Sequence, residues 1–235
     1  RLGETILHER LAGEEGKDHF RIAGQQGVLP HGSVAQASFN EVAGGVDELV
    51  GKLNKLGRDE LTTLSGDIEA GPCLISGRLE TSPASGQIIC RYARLTAVDL
   101  IRGWLNHLLL NRLAPSDWAK GTHLVGSDKS FTFSPLEEGE DNLSEIVALY
   151  MLGLTLPLQF FPQTSLEFAE AKARGLSDSA ALLKAGRKWL GNAYTKGEAD
   201  DRYRRLCYGK IDPLNSDFMA ATLAFFGPLV KKGGS

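Results

Sequence analysis

Between Leu61 and Arg94 the apolar residues form short runs divided by Gly, Pro and Ser, and from Ala97 onward they return at helical spacing. Leu61 to Glu69, Cys73 to Glu80 and Gln87 to Arg94 read as three strands. Each is a brief run bounded by turn-forming residues, and Ser82-Pro83-Ala84-Ser85-Gly86 supplies the turn between the last two. Such short connections predict an antiparallel meander. The following helix places Leu100, Ile101, Trp104, Leu105, Leu108 and Leu109 on one side and Asp99, Arg102, Asn106 and Arg112 on the other, so its apolar face must lie on the sheet. Strands near His123-Leu124-Val125 and Phe131-Thr132-Phe133 would extend that sheet. The fold class predicted is therefore α/β in the broad sense and α+β in detail, with a mixed central sheet and flanking helices.

The flanks are helical. Leu2 to Leu11 and Asp18 to Gly24 read as short helices separated by the turn-prone Gly13-Glu14-Glu15-Gly16. Gly27 to Gly32 break the chain, and Ser33 is the expected N-cap of a long helix whose Phe39, Val42, Val46, Leu49, Leu53 and Leu56 recur at three and four. Gly44 and Gly45 each cost that helix about 1 kcal/mol relative to alanine, which points to close packing or a kink. After Pro135, helices are expected over 143–154, 165–174, 179–190, 200–207 and 216–230, interrupted at Leu156 to Pro162 by two prolines around an aromatic pair. The expected organisation is N-terminal helices over 1–58, a sheet core over 59–134 containing helix 97–113, and a helical part over 135–235. All three would form one compact domain, read as a fragment of a longer protein.

A composition of 42% hydrophobic and 23% charged residues excludes disordered, collagen-like and coiled-coil classes. Charge is uneven. Residues 1–166 carry 14 Lys and Arg against 21 Asp and Glu, a net of -7, while residues 167–235 carry 12 against 8, a net of +4. The C-terminal part could face an acidic partner or a phosphate backbone, but a pI near 6.0 lacks the footprint of an autonomous DNA binder, so nucleic acid contact would be shared with other subunits. Cys73, Cys90 and Cys207 are widely spaced and odd in number, which suits reduced thiols and a cytoplasmic setting and disfavours zinc. No stretch approaches the length of a membrane span, and Arg1-Leu2-Gly3-Glu4 is not the start of a signal peptide.

Few motifs carry chemistry. Neither a Walker A loop nor Gly-x-Gly-x-x-Gly nor Gly-x-Ser-x-Gly occurs, and His8-Glu9 is followed by Ala12 where a zinc helix would need its second histidine. His31, after a proline in a tight connection, reads as a loop hydrogen-bonder. Leu158, Phe160 and Phe161 could dock a partner or plug a core where a helix stops. Arg202, Arg204 and Arg205 around Tyr203 could track a phosphate backbone, or simply form a solvated helix face with Asp200 and Asp201. A metal-dependent nuclease built as strand, strand, helix needs an acid on the first strand, then an acid and a lysine two apart on the second, because magnesium takes oxygen ligands and the attacking water needs a nearby cation. Glu80 occupies the first position. Arg91 and Ala93 occupy the others, so the chemistry would be lost.

Five segments in order, Leu29-Pro30-His31-Gly32 before the Phe39 helix, Gly77 to Glu80, Arg91 to Arg94, Trp104 to Leu108 and Leu156 to Pro162, resemble the C-terminal domain of the exodeoxyribonuclease V gamma chain, the RecC family. The resemblance implies a restriction-endonuclease-like core without a catalytic centre or cofactor. It also implies service in a helicase and nuclease that processes double-strand breaks, with RecB-type and RecD-type subunits as partners and DNA met in the full complex. By the same resemblance, Glu80 matches an acidic position, and Arg91 and Ala93 match the acid and lysine of the active pattern. A guanidinium repels a divalent ion and alanine cannot orient water; Arg91 is then expected to pair with Glu80. Two alternatives stand beside this reading. One is an active nuclease that uses Asp67, Glu69 and Glu80, and the other is a general helical interaction module.

Overall fold

The structure, a computed structural model, describes residues 2–13, 18–57 and 59–234. Helices α1 (Leu2–Ala12), α2 (His19–Gln25) and α3 (Ser33–Lys55) come first. The apolar stripe of α3 buries Val46, Leu49 and Leu53 against Ile6 and Leu7 of α1, with Phe39, Val42 and Leu56 partly covered. Ser33 is the first helical residue rather than the N-cap. Gly32 takes the cap position with φ 75°, a conformation open to glycine, and no side chain caps the free N–H groups there. Of the paired glycines, Gly45 lies where a Cβ would strike the ring of Tyr92, whereas Gly44 faces open space. The helix runs unbroken through both. Residues 14–16 of the predicted turn lie outside the described residues.

Strands β1 (Thr62–Ala70) and β2 (Cys73–Thr81) form an antiparallel hairpin with Leu64 opposite Leu79 and Ile68 opposite Ile75. The third strand does not complete a meander. β3 (Gln87–Cys90) instead opens a second sheet with β4 (Thr122–Val125), β5 (Ser130–Phe133) and β6 (Gly233–Gly234), in that order, with β3 and β4 parallel and the other pairs antiparallel. Between β2 and β3, Ser82 and Gly86 form an isolated antiparallel bridge. Gly86, at φ 76°, turns the chain against the Gly121 carbonyl, and the Gln87 N–H is donated to that carbonyl at 3.0 Å, so β3 starts its ladder on the side of β4. β3 also ends at Cys90, before the predicted limit at Arg94.

Helix α4 (Ala97–Leu113) makes the crossover between the parallel strands. Its N-terminus is closed by a capping box in which the Thr96 hydroxyl and the Asp99 carboxylate each accept the other's backbone N–H. Leu100, Trp104 and Leu108 bury against Leu124, Phe133 and Ile68, while Leu110 packs on Leu79. Asp99, expected on the solvent side, is only 9% exposed.

Helices α5 (Leu143–Gly153), α6 (Pro162–Ala173), α7 (Asp178–Leu190), α8 (Arg202–Tyr208) and α9 (Ser216–Lys232) follow, with a 3-10 turn at Glu198–Asp200. Pro162 begins α6, where a missing N–H costs nothing. α9 joins two cores. Phe225, Phe226 and Leu229 enter the cluster around Trp104, and Phe218 enters a second one with Phe161, Phe168, Trp189 and Tyr208. Pro228 inside α9 has no N–H for the Ala224 carbonyl four residues back, and the Asn142 side chain donates to that carbonyl instead, at 2.8 Å. The same amide accepts the Trp104 indole N–H at 3.1 Å, so one buried side chain ties α4 to α9. No helix among the described residues is long and apolar enough to cross a membrane.

Candidate functional site

Arg91 is the first residue beyond β3, and its N–H still bonds the Val125 carbonyl at 3.1 Å, continuing the ladder for one step. This fixes the guanidinium over the start of α4, where Nη1 donates to Asp99 Oδ1 at 2.6 Å. The other Asp99 oxygen accepts the Thr96 N–H at 2.8 Å and the Thr96 hydroxyl at 2.7 Å. Burial pushes the Asp99 carboxyl up, but the Thr96 and Arg91 hydrogen bonds outweigh it and hold the group below the usual carboxylate range. Arg91 and Asp99, together with Ile89, Cys90, Leu95 and Leu124, line a concavity of about 290 Å³ that also holds the exposed Arg102. Two guanidinium groups and one saturated carboxylate are a poor donor set for a divalent cation, which would have to displace Arg91 from Asp99.

The other expected positions are elsewhere. Glu80, near the end of β2, is exposed opposite Thr63; its carbonyl accepts the Gln87 amide at 3.3 Å. The ion pair expected between Arg91 and Glu80 is made with Asp99 instead. Ala93 lies in the link between β3 and α4, where its carbonyl accepts the Ser127 N–H at 3.0 Å. Asp67 and Glu69 are exposed on β1, and Asp67 accepts the Ser76 hydroxyl at 2.7 Å. Among the described residues no group of three or more His, Cys, Asp or Glu is placed to hold a metal ion. Asp99 was the residue missed, although Thr96-Ala97-Val98-Asp99 resembles the capping-box pattern that could have revealed it.

Residues 1–173 match the family described as the RecC C-terminal domain. The chain belongs to that family. A RecBCD enzyme subunit RecC from Buchnera aphidicola subsp. Schizaphis graminum (strain Sg) is 24% identical over 214 residues, 86% of this chain and 20% of the relative. The chain thus spans about a fifth of the length of the curated relative it matches. The match to the RecC C-terminal domain ends with α6, so α7, α8 and α9 lie beyond it.

Within this RecC-family chain, Phe161 is 1% exposed, with Trp189 and Tyr208 ring centroids at 4.3 and 5.4 Å, so its ring is occupied by the core. Phe160 packs on Phe225 and Phe226, and Leu158 is half-buried. Exposed apolar residues nearby include Met151, Leu152, Leu154 and Leu156. Arg202 lies over the Tyr203 ring at 4.7 Å. Arg204 is held by Glu198, with its Nη1 3.2 Å from the carboxylate and the same distance from the Glu198 carbonyl, while Arg205 is exposed. Of the remaining candidates, Glu9 pairs with His19 at 2.5 Å and His31 is exposed in its loop.

Proposed function

We propose that this chain is a nuclease-like domain without an active centre of its own, part of a RecC-type subunit of exodeoxyribonuclease V. It serves subunit assembly and DNA processing in recombinational repair of double-strand breaks. The observation that supports the reading is the Arg91–Asp99 ion pair: on the proposed correspondence Arg91 stands where the active pattern needs an acid, and its guanidinium is already matched by a carboxylate. The parallel β3–α4–β4 crossover behind an antiparallel hairpin supports a restriction-endonuclease-like core. RecB-type and RecD-type helicase subunits are the proposed partners, in the cytoplasm, and DNA is met within the full complex.

The test incubates the chain with single- and double-stranded DNA in magnesium or manganese, and in parallel asks whether a RecD-type subunit co-purifies with it. No cleavage beyond that of a Glu80→Ala control, together with co-purification, is expected. Cleavage that disappears in Glu80→Ala would overturn the reading in favour of an active nuclease.

A further inference from the structure

Beyond the family match, α7 and α8 enclose a groove of about 670 Å³. Leu182, Gly186, Trp189 and Leu190 form one wall at spacings of four, three and one, a single face of α7. Ile211 and Leu214, in the link from α8 to α9, form part of the other. Leu190 and Ile211 are 72% and 58% exposed, an open apolar lining of the kind that accepts the anchor side chains of an amphipathic helix. Gly186 sits in mid-helix, where glycine costs about 1 kcal/mol relative to alanine. No packing requires it, because nothing lies within 4 Å of where its Cβ would be. Its missing side chain leaves that part of the α7 wall open.

The rim is basic. Arg205 and Lys210 are exposed and have no ion-pair partner among the described residues. Arg204 is neutralised by Glu198, and Asp212 turns to its own backbone, accepting the Leu214 N–H at 3.0 Å. From Arg174 to Leu214, nine Lys and Arg stand against five Asp and Glu, a net of +4.

We propose that this groove receives an acidic amphipathic helix of a partner protein. Apolar side chains one turn apart would enter between α7 and α8, and carboxylates would meet Arg205 and Lys210. A nucleic acid strand fits less well, since the apolar part of the lining is mostly aliphatic and the Trp189 and Tyr208 rings are committed to Phe161, leaving little ring face for base stacking. The proposal deepens the assembly reading, on which it rests for the source of the helix.

The test measures fluorescence anisotropy with the full chain and a fluorescein-labelled peptide of about five helical turns. The peptide carries leucines at i, i+3, i+4 and i+7 and glutamate or alanine elsewhere; controls are the same peptide with every glutamate replaced by glutamine, and a labelled single-stranded oligonucleotide. Saturable binding of the acidic peptide is expected. It should weaken about fivefold or more with the glutamine peptide, and about tenfold in the Arg205→Glu/Lys210→Glu double variant, because the carboxylates lose their partners. Gly186→Leu should also lose about tenfold or more by projecting a side chain from the α7 wall into the groove, with Tm equal to or above that of the parent. Four results would overturn the proposal: no saturable binding, equal binding by Gly186→Leu, equal binding of the glutamine peptide, or an oligonucleotide that binds with the same sensitivity to these variants. Failure of the RecD-type subunit to co-purify would instead strike the assembly reading and leave the groove standing.

Discussion

His107 offers a sharp test of the packing between α4 and the second sheet. Its ring is fully buried, with Nδ1 3.0 Å from the Thr122 hydroxyl and centroids 5.4 Å from both Trp104 and Phe133. Burial pushes its pKa down from 6.5 to about 4; a hydrogen bond with the Ser134 backbone works against this, and Lys232, itself paired with Glu140 at 2.5 Å, adds to it. The folded protein therefore holds the ring neutral while the unfolded chain takes up a proton between those two values. Stability is full above about pH 6.5 and falls as pH drops toward 4. At 1.36 kcal/mol per unit the whole effect is roughly 3 kcal/mol, and about 2 kcal/mol of it should be lost between pH 7 and pH 5.

Urea unfolding of the parent and of His107→Gln at both pH values isolates this residue. His123 is shifted down by burial too and contributes equally to both proteins. The parent should lose about 2 kcal/mol more than the variant over that interval. Parallel pH profiles, or a His107 ring resonance titrating near 6.5, would refute the argument.

Gly44→Ala should stabilise by about 0.5–1 kcal/mol, as helix propensity dictates at an open site. Gly45→Ala should instead destabilise by about 1–3 kcal/mol, because Tyr92 is hemmed in between Gly45 on α3 and Gly3 on α1 and cannot give way; thermal melts would read both. Asn142→Leu should cost about 3 kcal/mol by stranding the Trp104 N–H and the Ala224 carbonyl, and a Pro228→Ala background should shrink that cost by restoring an N–H to the carbonyl. Phe161→Ala should cost about 3–5 kcal/mol, since it opens a cavity at the centre of the second core, whereas Leu156→Ala, exposed, should stay within about 0.5 kcal/mol by urea unfolding.

The helices were legible wherever a stripe was long. Six apolar residues at spacings of three and four define α3, and a similar apolar periodicity defines α4. The three strands were legible as strands from their turns and short apolar runs. Two local features were open to being read and were not: the capping box that takes Asp99 inward, and the place of Pro162 at the start of a helix.

Other features depend on neighbours remote in the chain. β3 pairs with β4 rather than β2 because Gly86 turns its backbone toward Gly121, and no periodicity within 87–90 encodes that choice. β6 consists of two glycines, which carry no side-chain pattern at all. The Arg91 guanidinium finds Asp99 instead of Glu80 once the crossover brings the end of β3 over the start of α4. Asn142 replaces the hydrogen bond that Pro228 cannot make, across 82 residues from its acceptor. Periodicity and capping are satisfied within a few residues, so the chain alone expresses them. Strand partners, ion pairs and buried hydrogen bonds are selected by whichever groups the finished core leaves without water, and only the folded arrangement decides which those are.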